Sequence, residues 1–92
     1  MIPTELAITN VKHLSNYKLL ISFSDGHQQL INFEHFLFNH QHPDIKKYQD
    51  INLFKNYSIT DGDLEWNNYE LCFPIADIYL NQHIEHKKTN VA

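Results

Sequence analysis

Only two glycines occur in the 92 residues, and each follows an aspartate: Asp25-Gly26 and Asp61-Gly62. An Asp-Gly pair supplies the positive φ angles that a tight antiparallel hairpin requires. The residues around each pair carry the period-two alternation of strands with one buried face. Before the first pair Tyr17, Leu19, Ile21 and Phe23 share a face, and after it Gln29, Ile31 and Phe33 do. Around the second pair, Tyr57 and Ile59 alternate on the way in, Leu64 and Trp66 on the way out. Leu6 and Ile8 alternate upstream, with Pro3 suited to the start of an edge strand, where no ladder hydrogen bond is lost. The expectation is a three-stranded antiparallel meander over residues 4–33 and a second hairpin turned by Asp61-Gly62.

Between the hairpins the period changes. Phe33, Phe36, Leu37 and His40 have helical spacing and predict a short helix over one sheet face. Pro43 suits the start of a further helical turn, and Asp50 suits the N-cap of a piece in which Ile51 and Phe54 stand three apart. Pro74 reads as the first residue of a last helix with an Ile75, Ile78, Tyr79 stripe. The fold class is therefore α+β: an antiparallel three-stranded meander plus a second β-hairpin, packed with short helices and a C-terminal helix. The length supports a single domain, assigned to residues 1–82, with 83–92 as a polar, frayed tail.

A chain that is 42% hydrophobic and 20% charged has the material for a core without metal or disulfide staples. Its single cysteine excludes an internal disulfide. No apolar run exceeds three residues, far from the ~20 that cross a bilayer, so no membrane partner and a cytoplasmic location are expected. All seven basic residues are lysine, and the net charge is −4. Without the planar fork of arginine, and with excess acid repelling a polyanion, direct binding of nucleic acid is not expected. Seven histidines make the net charge, and with it solubility, responsive to mild acid.

The residues offer little catalytic chemistry. Asp61, Asp63 and Glu65 alternate and would share one strand face, but a calcium loop needs glycine at its sixth position and glutamate at its twelfth, where Trp66 and Cys72 stand. A solvated hairpin face is the ordinary reading of such acids. Cys72, flanked by Leu71, Phe73 and Pro74, is expected to be buried and inert. The pairs His40/His42 and His83/His86 are weak candidates for zinc or nickel, and neither brings a full ligand set. No phosphate loop, dinucleotide turn or nucleophile elbow is present, so no cofactor and no catalytic residue are assigned.

The motifs Phe23-Ser24-Asp25-Gly26, the segment from Ile51 to Ile59, Gly62 to Trp66 and Pro74 to Tyr79 together resemble a bacterial family known as domain of unknown function 2442. The resemblance maps Phe23, Asp25, Gly26, Phe54, Gly62, Trp66, Pro74 and Tyr79 onto the family's structural motif, with Glu70 where aspartate is common. The turn after Trp66 departs from it: Asn67-Asn68-Tyr69 has no glycine and is one residue shorter, and Ile78 replaces leucine. Asparagine tolerates left-handed backbone, which keeps the turn feasible. The resemblance implies an α+β domain, no established catalytic site, and relatives in two-gene systems of the toxin–antitoxin kind. The expected role is a small protein–protein interaction module, antitoxin-like or accessory, whose partner is another protein such as a neighbouring-gene product. Candidate contact residues are Asp63, Glu65, Tyr69 and Glu70, and exposed edge strands permit a homodimer. A metal-dependent or thiol enzyme, or an accessory subunit of a nucleic-acid-binding complex, are the alternatives.

Overall fold

Both Asp-Gly pairs turn hairpins in the computed structural model, which describes residues 5–85. Strands β1 (Ile8–Ser15), β2 (Lys18–Phe23) and β3 (Gln28–Asn32) form one antiparallel sheet in the order 1-2-3. Strands β4 (Tyr57–Thr60), β5 (Asp63–Trp66) and β6 (Leu71–Cys72) form a second in the order 4-5-6. The second hairpin thus gains a third strand, too short for its alternation to show in the sequence. Helices α1 (Glu34–Phe38), α2 (Pro43–Lys46) and α3 (Ile51–Phe54), with a 3-10 turn at Lys47–Gln49, link the sheets, and α4 (Ile75–Leu80) follows.

The short helices form where their caps dictate. The Asp50 side chain accepts a hydrogen bond from Asn52 N at 2.9 Å and starts α3 as its sequence position suggests. His42 does the same for α2, its Nδ1 accepting from Asp44 N at 3.1 Å ahead of Pro43. Helix α4 begins one residue later than expected, with Pro74 just before it and Pro74 O accepting from Asp77 N at 2.9 Å. It ends at Asn81, in left-handed backbone. Past it, Ile84 is buried, and Glu85 Oε2 accepts from Asn32 N at 2.6 Å.

One core joins the two sheets. Leu19, Ile21 and Phe23 of β2 and Ile31 of β3 meet Leu64 and Trp66 of β5, with Phe33, Leu37, Phe54 and Ile78 from the helices and their approaches. At its centre Trp66 is fully buried, stacked on Phe54 at 5.7 Å and edge-on to Phe33 and Phe73 at 6.0 Å each. Trp66 Nε1 donates to Phe54 O at 2.7 Å, so the indole's polar atom is satisfied inside the core.

The two glycines are not equivalent. Gly62 (φ +82°) accepts from Ile8 N at 2.8 Å, which ties the second hairpin to the start of β1, and a Cβ there would lie 2.8 Å from Ala7 Cβ. Gly26 (φ +90°) faces open space. Gly26→Ala is therefore expected to lose only the left-handed preference, about 1–2 kcal/mol. Gly62→Ala should lose a further 1–3 kcal/mol or so from crowding the backbone of a second element. Urea midpoints of the two variants test this, and equal losses would mean that the approach of Ala7 to Gly62 adjusts freely.

Candidate interaction site

The turn between β5 and β6 has three consecutive residues in left-handed backbone: Asn67 (φ 51°), Asn68 (φ 54°) and Tyr69 (φ 66°). Asparagine visits this region readily, but tyrosine has no side chain suited to it, and each such residue costs about 1–2 kcal/mol against the right-handed form. A network of side-chain hydrogen bonds holds the turn. Tyr69 N donates to Glu65 Oε1 at 2.8 Å, and Glu65 Oε2 accepts from Thr60 Oγ1 at 2.8 Å. The Tyr69 hydroxyl donates back toward Thr60 O (3.1 Å) and Asp63 Oδ2 (3.3 Å). Burial, then the Asp63 charge, raises the Tyr69 pKa above the ordinary phenol value.

On the other side of the turn Glu70 gathers three donors. Lys47 Nζ pairs with it at 2.7 Å, Tyr48 OH donates at 2.6 Å and Asn67 Nδ2 at 3.1 Å. The lysine bond first, then those from Tyr48 and Asn67, lower the Glu70 pKa to about 2. Tyr48, buried beneath the pair, has its own pKa pushed well up by burial and by the bond to Glu70. A depressed carboxylate pKa contributes stability that is complete above the ordinary value of 4.5 and is lost as pH falls toward 2. The stability gap between the wild type and Glu70→Gln should accordingly be full at neutral pH and close through that acid window. Thermal melts at a series of pH values measure it, and a gap independent of pH would mean the lysine and tyrosine bonds do not favour the ionised form.

The turn stands as a ridge between two hollows. One, of about 220 Å³, is lined by Lys47, Tyr48, Leu53, Asn56 and Asn67. The other, of about 280 Å³, is lined by Asp63, Tyr69, Cys72, Phe73, Pro74 and Ile75. Leu53 and Tyr69 remain more than 40% exposed, giving each hollow an apolar lip.

The four contact candidates from the sequence, Asp63, Glu65, Tyr69 and Glu70, come together here. Two expectations about the segment need correction. Glu65 is not on a solvated face with Asp61 and Asp63: it is 4% exposed and turns its carboxyl group into the turn network. Cys72 is exposed, because the neighbouring Leu71 and Phe73 take the buried positions and strand alternation sends the residue between them outward. Lys47, Tyr48 and Thr60 were not among the candidates. Lys47 and Tyr48 reach the site from an element more than 20 residues away and Thr60 from the neighbouring strand, and only the apolar ring of Tyr48 in a polar stretch hints at burial.

The histidine pairs are divided. His40 and His83 line one groove of about 400 Å³ with His35 and Glu85, and His40 Nδ1 donates to Phe36 O at 2.8 Å. His42 is engaged as the cap of α2, and His86 lies outside the described residues. Among the described residues no three metal-ligating side chains converge. Of the motif positions, Phe23 and Tyr79 pack edge-on at 5.0 Å, and Tyr79 OH donates to Asp25 Oδ2 at 2.6 Å, joining the first turn to the last helix. That bond, with the backbone bond from His27, lowers the Asp25 pKa.

Two small antiparallel sheets sharing one aromatic core, with helices as connectors and closure, define an α+β module. Residues 8–83 match the family of proteins of unknown function 2442, and the chain belongs to that family. No curated protein and no solved structure matches it. No helix among the described residues is long and apolar enough to cross a membrane.

Proposed function

We propose that this protein is a small interaction module of the bacterial cytoplasm that presents the Asn67–Glu70 ridge to another polypeptide. The partner best suited to the reading is the product of a neighbouring gene, with this chain as the antitoxin-like or accessory member of the pair. The observation that supports it is the left-handed run at Asn67, Asn68 and Tyr69, held in an unfavourable conformation by the bonds that Tyr69 N donates to Glu65 and Asn67 Nδ2 to Glu70. Strained backbone fixed by its surroundings is characteristic of binding sites, where a rigid surface loses little entropy on association. Tyr69 and Leu53 supply exposed apolar anchors, and Asp63 a charge at the rim.

A photo-crosslinking residue at position 68, compared with one at the exposed position 41 between α1 and α2, tests this in the native cell. The expected result is one adduct from position 68, containing a second polypeptide, that disappears with Tyr69→Ala. Recovery of the chain without an adduct from position 68 would rule the ridge out as the contact surface.

A further inference from the structure

We propose that the open face of the first sheet is a second docking surface, and that its occupant is one acidic amphipathic helix of a partner chain. The registers of β1, β2 and β3 place Lys12, Leu20 and Leu30 in a single row across that face. Lys18 stands one row away, opposite Asn32, and Ser22 with Gln28 one row to the other side. The inward row on either side of the leucines is formed by Leu19 with Ile31 and by Ile21 with Gln29, so the core uses the other face. Leu30 is 48% exposed and Leu20 half-buried, leaving two adjacent aliphatic side chains on the surface.

Charge selects the occupant. The chain as a whole carries −4, yet β1, β2 and β3 contain no acidic residue. Among the described residues, neither Lys12 nor Lys18 has a carboxylate partner. The face is thus apolar at its centre and cationic beside it, on a protein that is otherwise acidic. A second copy laid face to face would bring four lysines and no carboxylate of β1, β2 or β3 into one interface.

Size points the same way. Three strands at ~4.8 Å spacing and five residues at ~3.3 Å rise give a patch of roughly 14 by 17 Å. Its planar area, on the order of 240 Å², is far below the ~800 Å² per partner of a stable interface between globular surfaces. A single α-helix, about 10 Å across, matches the patch with roughly eleven residues. Its apolar stripe would cover Leu20 and Leu30 while acidic residues flanking the stripe reach Lys12 and Lys18. None of these residues belongs to the Asn67–Glu70 ridge, so this surface stands or falls independently of the proposed function. With both, the module would bridge two polypeptide segments.

The test uses the full chain, isotope-labelled for amide NMR, and a synthetic peptide of about 14 residues, long enough for measurable helicity. The peptide carries leucines at helical spacing and glutamates on the flanks, and a control replaces every glutamate with lysine. The acidic peptide should give saturable shifts at the amides of Lys12, Leu20 and Leu30. Leu30→Ser and Lys12→Glu should each weaken it by about tenfold, and the lysine control should bind about tenfold less tightly or not at all, as loss of an anchor or a charge partner entails. Both substitutions are at surface positions, and Lys12→Glu carries the test if Leu30→Ser disturbs folding. Shifts confined to other residues, equal binding of the two peptides, or the same shifts from phosphatidylserine vesicles would overturn the proposal. So would concentration-dependent shifts at this face in the protein alone, which would assign it to a second copy.

Discussion

Trp66→Ala is expected to destabilise the protein by about 3–5 kcal/mol, the range for removing a large buried aromatic side chain. The site is severe on three counts. The indole is fully buried and touches rings from five other residues: Phe33, Tyr48, Phe54, Tyr57 and Phe73. Those rings come from both sheets' surroundings and from the helical linker, so no single element can collapse to fill the space. The substitution also removes the donor to Phe54 O, leaving a carbonyl without that partner at the end of α3. Against a total stability of about 5–15 kcal/mol, a loss of this size brings the chain near its unfolding midpoint at moderate temperature. Trp66→Phe separates the causes: it keeps most of the apolar volume, loses the hydrogen bond and should cost about half as much. Urea unfolding of the two variants gives the comparison. A loss under about 1 kcal/mol for alanine would show that the second sheet does not depend on its central ring.

Much of the architecture could be read because its determinants are local. Each Asp-Gly pair specifies a turn within four residues, and Leu19, Ile21 and Phe23 declare their face by alternation alone. Asp50 announces α3 because an N-cap bond spans only two residues. What local patterns do not show depends on where a strand is paired and which way its residues then face. Glu65 resembles its neighbours Asp61 and Asp63 in type, and nothing local says that it turns inward to meet Thr60 and the Tyr69 amide. The exposure of Cys72 is hidden for a related reason: a run such as Leu71-Cys72-Phe73 has uniformly apolar neighbours, and only strand pairing makes the middle residue face the other way. The β6 strand itself is two residues long and has no period to detect. Asp25 shows both kinds of information in one side chain. Its role in the turn is local, with Oδ1 accepting from His27 N at 2.9 Å, whereas its bond from Tyr79 OH joins residues 54 apart.

The ridge was legible as a place and not as a conformation. Asn67 and Asn68 advertise tolerance for left-handed backbone, but Tyr69 does not, and the structure explains its conformation through Glu65. From this follows the second large effect. Glu65→Ala removes the acceptor for Tyr69 N and the partner of Thr60 Oγ1 together. An amide left unsatisfied in a part-buried position costs about 1–3 kcal/mol, and a left-handed tyrosine no longer held contributes a further 1–2 kcal/mol or so toward rearrangement of the turn. A net loss of about 2–4 kcal/mol is expected in urea unfolding, with faster hydrogen exchange at the Tyr69 amide. Glu65→Gln retains an oxygen acceptor for that amide, and the Thr60 hydroxyl can rotate to accept from the new amide group, so stability and Tyr69 protection should largely return. Rescue by glutamine identifies hydrogen bonding, rather than charge, as what fixes the turn. If alanine leaves Tyr69 protected, the Glu70 side with Lys47, Tyr48 and Asn67 must fix the turn alone, and the ridge's rigidity then rests on an ion pair that acid can release.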